Sequence, residues 1–461
     1  MAYNWTELET QLLRELARTG PTGSAELCDR LSISRPTFNR LIERRVGDTV
    51  LRVGRARATL YAARRSIPDV GDRVPIYRID SKGQSALVAT LHAILPRGAF
   101  YCEGIDASIP SGAHADLPFF LSPLRPAGFL GRLIPDRHPE LGLPQDILMW
   151  SGSQCLQYLT LFGWNLPGDF IVGDESLALF LRHTRDLTDG ISERERARRY
   201  SKLAENVLEQ GEPGSSAAGE RPKFLATLEE GPTSVLVKFS PPRSSGEVAQ
   251  RDADLLVAEA WAHRVLERSS TPSAHSEVVD TEDRLFLQIE RFDRIGLAGR
   301  RGLLALDALE AEYVGAGGSW SDTAERLCGQ SVIDEHTRDQ IQFLELFGRL
   351  IGNSDMHLGN LSLMTDGVRV EHLAPVYDML PMGYAPRHGE IHSRRLDLPE
   401  PHPSMARTWR DASELAVRFW QEVAGDERIS DGFRAIAADA RAEVADWQTA
   451  AQRLPKVRDG E

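Results

Sequence analysis

The sequence predicts an α+β chain: a small helical head closed by a β-hairpin, then a two-lobed body in which sheet-forming segments precede helical ones. Three observations lead there. Helical apolar stripes followed by an alternating, Gly-turned segment fill the first 68 residues. An apolar hairpin and a further strand flank one long helix between residues 223 and 293, and amphipathic helical patterns dominate the last 50 residues. At 461 residues the chain exceeds what one hydrophobic core organises, so three domains are expected, at 1–68, 69–293 and 294–461.

Composition sets the class. With 41% hydrophobic and 26% charged residues the chain reads as globular. No apolar run approaches the roughly 20 residues that span a bilayer, and the start, MAYNWTELETQLLRELART, has neither a basic leader nor a cleavage site. Cys28, Cys102, Cys155 and Cys328 stand far apart with no C-x-x-C pair, which argues against a disulfide framework or a thiolate zinc site. Free thiols suit a reducing compartment, so a cytoplasmic address and no membrane contact are expected.

Charge is unevenly spread. Residues 1–65 hold twelve arginines against seven carboxylates, a local +5, which leaves −18 for the remainder of a chain whose formal charge is −13. Any nucleic-acid contact therefore belongs to the head, because an acidic body is repelled by phosphate backbones.

Within the head, Leu8, Leu12, Leu13 and Leu16 form a helical stripe that Gly20 and Pro21 end. A short helix from about Ala25 to Leu31, a tight turn and a third helix capped by Ser34 follow, the spacing of a helix-turn-helix. Val50 to Val53 and Thr59 to Tyr61 then alternate around Gly54 as a hairpin, completing a winged helix-turn-helix. In that arrangement Arg35, Thr37 and Arg40 meet base edges or phosphates of DNA, and Arg52, Arg55 and Arg57 on the wing neutralise backbone charge. Such a fold also serves as a protein-interaction module.

Residues 69–190 carry no legible chemistry. RVPIYRID, SALVATLHAIL and GAFYCEGI predict strand, helix, strand. SERERARRYSKLAENVLEQ predicts an amphipathic helix with Ala197, Tyr200, Ala204 and Leu208 on its apolar face.

The body opens with GEPGSSAAGERPKFLATL. Glycines at 211, 214 and 219 beside Ser215 and Ser216 leave the backbone free to wrap an anion, although the loop lacks the Walker A pattern. KFLATLE and TSVLVKFS then predict two strands, the second with Lys238 among apolar neighbours, where an ammonium must snorkel or find an anion. The next helix offers Glu259, and the strand RLFLQIERFDR exits at Glu290, Arg291 and Phe292. A Gly-rich lid, a strand lysine for phosphates and a helix glutamate to hold that lysine are the parts of a kinase-type nucleotide site, in order. The strand exit is then the hinge, whose backbone groups face an adenine.

The stretch GNSDMHLGNLSLMTDGVRVEHLAPVYDML supplies the rest. Phosphoryl transfer needs a carboxylate to receive or orient the attacking hydroxyl, and oxygen ligands for Mg²⁺. Asp355 suits the first task; Asn360, five residues on, and Asp378, after a strand-turn-strand, suit the second. His357 lies between as a loop orienter or nucleotide contact.

These motifs together, GSSAAGERPKF, VLVKFS, AEAWA, IERFDR, GNSDMHLGNLSL and APVYDMLPM, resemble the HipA family of serine/threonine kinase toxins. The resemblance is closest to the YjjJ-like branch, in which a helix-turn-helix head is fused to the kinase. It implies a two-lobed, protein-kinase-like (HipA-like) fold that uses ATP and Mg²⁺. In that fold Ser216, Gly219, Lys223, Lys238, Glu259, Glu290, Phe292 and His357 lie around the nucleotide. Asp355 is the catalytic base, assisted by His357, and Asn360 and Asp378 hold the metal. It further implies autophosphorylation in the loop, at Ser216 or its neighbour Ser215, which adds roughly −1.5 to −2 charge to an anion nest and switches the enzyme off. The implied partners are a protein substrate such as an aminoacyl-tRNA synthetase or another translation component, an antitoxin, and DNA through residues 1–68.

The chain departs from the pattern at Ala217, Ala218 and Glu220-Arg221, where many relatives have a small residue and Gln. Two other functions use related parts. Aminoglycoside- and choline-kinase-type phosphotransferases share the D-x-H-x-x-N loop, and a DNA-binding regulator could keep a nucleotide-sensing pseudokinase domain. His388 and His392 in HGEIH are four apart, but the glutamate is one place off the H-E-x-x-H zinc arrangement, so a solvated segment is expected.

Overall fold

The computed structural model describes residues 4–45, 47–54, 58–185, 190–209, 221–269, 271–400 and 406–453. The chain forms two compact units, one of residues 1–126 and 138–186, the other of residues 127–137 and 187–461.

The first unit begins with three helices, α1 (Trp5–Thr19), α2 (Ser24–Leu31) and α3 (Arg35–Glu43), and a three-stranded antiparallel sheet. That sheet holds β1 (Thr22–Gly23), β2 (Val50–Val53) and β3 (Leu60–Ala63) in the order β1-β3-β2. Asn4 caps α1, and Ser34 caps α3 by accepting the Thr37 N–H. Leu12, Leu16, Leu27, Phe38 and Leu41 are buried in one cluster, where Phe38 meets Tyr61 edge-on with ring centroids 5.2 Å apart. Gly54, at φ +76°, takes the chain out of β2 in a backbone state that side-chain-bearing residues avoid.

A five-stranded antiparallel sheet follows, in the order β7-β6-β5-β4-β8. Its strands are β4 (Arg73–Ile79), β5 (Ser85–Ala93), β6 (Phe100–Gly104), β7 (Gly112–His114) and β8 (Phe170–Val172). With it pack α4 (Gly152–Phe162) and α5 (Asp174–His183). The expected helix over SALVATLHAIL is instead the central strand β5. It is paired on both edges, with β4 and β6, and two full hydrogen-bonded ladders outweigh the helical preference of its alanines and leucines.

The second unit opens with α6 (Arg196–Glu209), whose buried residues are Tyr200, Ala204 and Val207. Ala197, expected on the apolar face, is exposed, whereas half-buried Leu208 packs against the core cluster that Val207 enters fully. β9 (Lys223–Leu228) and β10 (Thr233–Phe239) form the anticipated hairpin in an antiparallel sheet ordered β11-β12-β10-β9, completed by β11 (Ser276–Asp280) and β12 (Leu285–Glu290). Between them runs α7 (Glu247–Glu267), with fourteen buried positions, packed against β11 and β12. Beyond this sheet come β13 (Gly302–Ala305), α8 (Trp320–Gly329), α9 (Glu335–Leu350), β14 (Ser362–Asp366), β15 (Arg369–Leu373), α10 (Ala406–Gly425) and α11 (Asp431–Gln452). β14 and β15 are the expected strand-turn-strand, and β13 adds to the β14 edge. Phe419 and Trp420 of α10 are buried, with the Trp420 indole N–H donating to Leu350 O at the end of α9 (3.1 Å), whereas Leu415 and Val417 are half-buried. HGEIH lies in an exposed irregular segment. No described helix is long and apolar enough to cross a membrane.

Candidate functional site

The site grows from β10. Lys238 alternates with Val237 and Phe239, and because the sheet is covered on both sides its side chain is buried, only 4% exposed. A buried ammonium needs anions. It has two: Lys238 Nζ donates to Glu259 Oε1 at 2.6 Å and to Asp378 Oδ1. Glu259 sits on α7, completely buried, so the helix delivers its carboxylate to the middle of the sheet.

One lysine facing two carboxylates sets the local electrostatics. Burial works against the Lys238 charge, but Asp378 and Glu259 outweigh it and hold the ammonium above its ordinary pKa. Burial likewise opposes ionisation of Asp378, yet Lys238 and then Lys223 keep its carboxyl well below the usual carboxylate range. For Glu259 burial dominates and raises the pKa, with Lys238 pulling the other way. Lys223 is the cross-strand partner of Lys238 in the β9–β10 register.

His263, one turn along α7 from Glu259, completes the buried group. Its Nδ1 lies 2.9 Å from Ser276 Oγ and its Nε2 lies 3.9 Å from Glu259 Oε1. Burial and the neighbouring ammonium push its pKa down to about 3, so the ring is neutral at ordinary pH.

The loop after α9 forms the opposite wall. The chain leaves α9 through Gly352 at φ +74°. Buried Asn353 then bridges: its Oδ1 accepts the Asp355 N–H at 3.0 Å and its Nδ2 donates to Asp378 O at 3.4 Å. Asn360 Nδ2 donates to Asp355 O at 2.8 Å, closing the loop on itself. The Tyr377 hydroxyl donates to Gly359 O at 3.1 Å and pairs with Ser362 Oγ at 2.7 Å, which ties the residue before Asn360 to the residue before Asp378. His357 Nδ1 accepts the Gly359 N–H at 3.1 Å, and its carbonyl accepts the indole N–H of buried Trp320 at 3.0 Å. Asp378 adopts φ +51°, a left-handed conformation rare for a residue with a side chain and typical of functional segments. Beside this loop lies a cavity of about 420 Å³ lined by Ser319, Trp320, Glu345, Arg349 and residues 353–357.

A model of the YjjJ-like toxin middle domain matches residues 70–181, and a model of the HipA-like C-terminal domain matches residues 215–447. Toxin YjjJ of Escherichia coli (strain K12) is 37% identical over 432 residues, which are 93% of this chain and 96% of that protein. The chain belongs to the HipA-like toxin family. Within it the match is to the YjjJ-like branch. The solved structure of the Shewanella oneidensis MR-1 toxin–antitoxin system, HipA with HipB and operator DNA, shares the HipA fold at TM-score 0.51 and 14% identity. It covers 84% of this chain and 100% of that one. The Helicobacter pylori proinflammatory kinase CtkA overlaps 51% of this chain and 96% of its own at TM-score 0.36 and 11% identity.

Of the residues singled out in the sequence, the HipA-like fold brings Lys238, Glu259 and Asp378 into direct contact, with Lys223 beside them. Asp355, His357 and Asn360 share one loop, tied to the Asp378 segment through Asn353 and Tyr377. Phe292 sits with its ring 6.0 Å from that of Tyr377. At the strand exit the Glu290 N–H is already donated to His275 O and the Arg291 N–H to Ser234 O. Those two amides are therefore not open to a ligand, and Phe292 is the first residue past them. Ser215, Ser216 and Gly219, and Arg55 and Arg57 in the head, lie outside the described residues. Arg35, Arg40 and Arg52 are exposed, but Thr37 is not the outward contact expected. It is buried, with its hydroxyl 2.9 Å from Ser34 Oγ at the helix cap.

Asn353, Tyr377 and His263 were missed. For Asn353 a signal existed, since an Asn two residues before the loop carboxylate is suited to fixing the turn through its side chain. The roles of Tyr377 and His263 depend on tertiary partners alone.

Proposed function

We propose that the chain is an ATP- and Mg²⁺-dependent kinase that phosphorylates serine or threonine hydroxyls of protein, including Ser215 or Ser216 of its own Gly-rich loop. The observation that carries this is the buried Lys238 ammonium shared between Glu259 of α7 and Asp378, beside a loop that presents Asp355 and Asn360. A lysine so held is preorganised for phosphate oxygens and spends no reorganisation on reaching them. Lys223 adds a second positive charge, and Phe292 and His357 complete the nucleotide's surroundings.

The oxygen donors fit a hard cation. The amide nitrogen of Asn360 is committed to Asp355 O, which leaves Oδ1 as the ligand atom, and the second carboxylate oxygen of Asp378 has no hydrogen-bond partner among the described residues. Magnesium bound there would neutralise charge on the phosphates. Asp355 receives the proton of the attacking hydroxyl as its oxygen bonds to the γ-phosphorus and the bond to the bridging oxygen breaks, releasing ADP.

The head is read as a winged helix-turn-helix that binds DNA. Support comes from how its arginines are spent. Arg18, Arg30, Arg44, Arg45 and Arg64 are ion-paired within the protein, whereas Arg35, Arg40 and Arg52 have no carboxylate partner among the described residues. The HipA of the solved relative is in a complex with HipB and operator DNA. In this chain the head supplies the DNA contact itself, and an antitoxin remains a partner of the body.

Incubation with Mg²⁺ and γ-labelled ATP tests the core of the proposal. Label should appear on the intact chain at Ser215 or Ser216 and fall about 10²–10⁴-fold in Asp355→Ala. Equal labelling of both, or none in either, would overturn it.

A further inference from the structure

The cavity beside the loop bears a charge that no group among the described residues uses. Its floor is Trp320, 2% exposed and fixed by its bond to His357 O. Glu345 and Arg349 line one wall from successive turns of α9, and Asp355 borders the other. A glutamate four residues before an arginine on a helix normally pairs with it. Here Glu345 accepts the Ser321 N–H at 2.6 Å instead, an acceptor for the first turn of α8. Asp355 faces the reacting hydroxyl in the proposed chemistry. Arg349 is exposed and makes no ion pair or hydrogen bond among the described residues, although two carboxylates line the same cavity.

We propose that this cavity is the acceptor-side subsite of the phosphotransferase, and that Arg349 reads an acidic side chain flanking the hydroxyl to be phosphorylated. This rests on the kinase reading above. Three things support it. The volume lies within the roughly 300–1,000 Å³ of ligand pockets. The cavity is lined by Asp355 but by neither Lys238 nor Asp378, so it lies on the acceptor side of the loop. The planar guanidinium offers a carboxylate two parallel donors, and of the cavity's charged groups it is the one with no internal task. It matters that the body is acidic overall: a carboxylate is drawn here by a local fork against a repelling background, which makes the contact selective.

The test uses the full-length chain and three serine-centred peptides with glutamate, alanine or lysine on both sides of the serine. Phosphorylation is followed with Mg-ATP, and binding of the labelled peptides by anisotropy with a non-hydrolysable ATP analogue. The glutamate peptide should exceed the alanine peptide about tenfold in kcat/KM or in affinity, the size of one charge-assisted pair. Arg349→Gln should abolish that ratio, and Arg349→Glu should invert it toward the lysine peptide, with nucleotide affinity kept in both. Equal values for all three peptides, or ratios that Arg349→Glu leaves unchanged, would overturn the inference. An equal loss on every peptide in Arg349→Gln would also overturn it, assigning the guanidinium to the transferred phosphoryl group. Self-labelling with no peptide phosphorylated and no charge-dependent binding counts against the subsite alone, whereas absence of all phosphotransfer removes the kinase reading and the subsite with it.

Discussion

Replacing Lys238 by Met probes the buried charge group directly. The methionine keeps the stem's length and packing but leaves Glu259 and Asp378 facing one another without a cation, one of them fully buried. Removing one member of a buried ion pair costs about 3–5 kcal/mol, because the remaining charge is uncompensated. Asp378, whose side chain is 29% exposed, recovers part of its hydration, so the lower half of that range is expected. For a unit of this size the loss lowers the melting temperature by about 6–12 °C. The discriminating measurement is a double-mutant cycle. Adding Glu259→Met to Lys238→Met removes the orphaned buried carboxylate and should restore about 1–3 kcal/mol, since apolar replacement of a buried pair is near neutral. Thermal unfolding followed by tryptophan fluorescence reports both steps. A Lys238→Met protein within about 1 kcal/mol of the parent, or a double variant showing simple additive loss, would refute the account of Lys238 as the neutralising centre.

Other consequences follow from the same geometry. His263 has a folded pKa of about 3 against an ordinary 6.5, so between those values the unfolded chain takes up a proton that the folded one refuses. Its contribution is complete above pH 6.5 and declines on acidification, by up to about 1.4 kcal/mol per pH unit; His263→Phe should flatten the stability profile between pH 6 and 4. Asn353→Ala removes the bond accepted from the Asp355 N–H and the bond donated to Asp378 O, and should cost about 1–3 kcal/mol, with hydrogen exchange rising locally at residues 353–360 rather than throughout the unit. Phe38→Ala opens the centre of the head cluster and should cost about 3–5 kcal/mol, read as destabilised unfolding of the first unit while phosphotransfer persists. Binding of a DNA duplex by the full chain should weaken with salt, and Arg35→Ala, Arg40→Ala and Arg52→Ala should each lower the log–log salt slope by about 1.

Where periodicity and local chemistry agreed, the sequence was enough. The head's first two helices end at Gly20 and Ser32, each within a residue or two of the expected end, and Ser34 caps α3 as its side chain suggests. Lys238 was recognisable because an ammonium inside an apolar strand demands an anion wherever the chain later puts one. Long-range partners were not recognisable. SALVATLHAIL has helix-forming residues, and its identity as a central strand comes from β4 and β6 on either side. Thr37 stands beside exposed Arg35 and Pro36 in the first turn of α3, yet it is buried with its hydroxyl against Ser34 at the cap. His263 reads as an ordinary residue of an amphipathic turn until α7 is laid against Ser276 of β11.

A single residue explains why the spacing of the D-x-x-x-x-N loop works here at all. In the proposed chemistry Asp355, Asn360 and Asp378 are the working residues, yet none of the three bonds to another through its charged or ligating oxygen; the bonds that tie their segments together run through backbone groups. Asn353 accepts from the amide of one and donates to the carbonyl of another, while Asn360 donates to the carbonyl of Asp355. The Asp355 carboxylate and Asn360 Oδ1 are thus positioned without being consumed by these bonds, which is what preorganisation requires. Lys238 is the exception, bound tightly to Asp378 and Glu259, and it must be, since an unpaired ammonium at that depth would lose its charge rather than wait for a ligand.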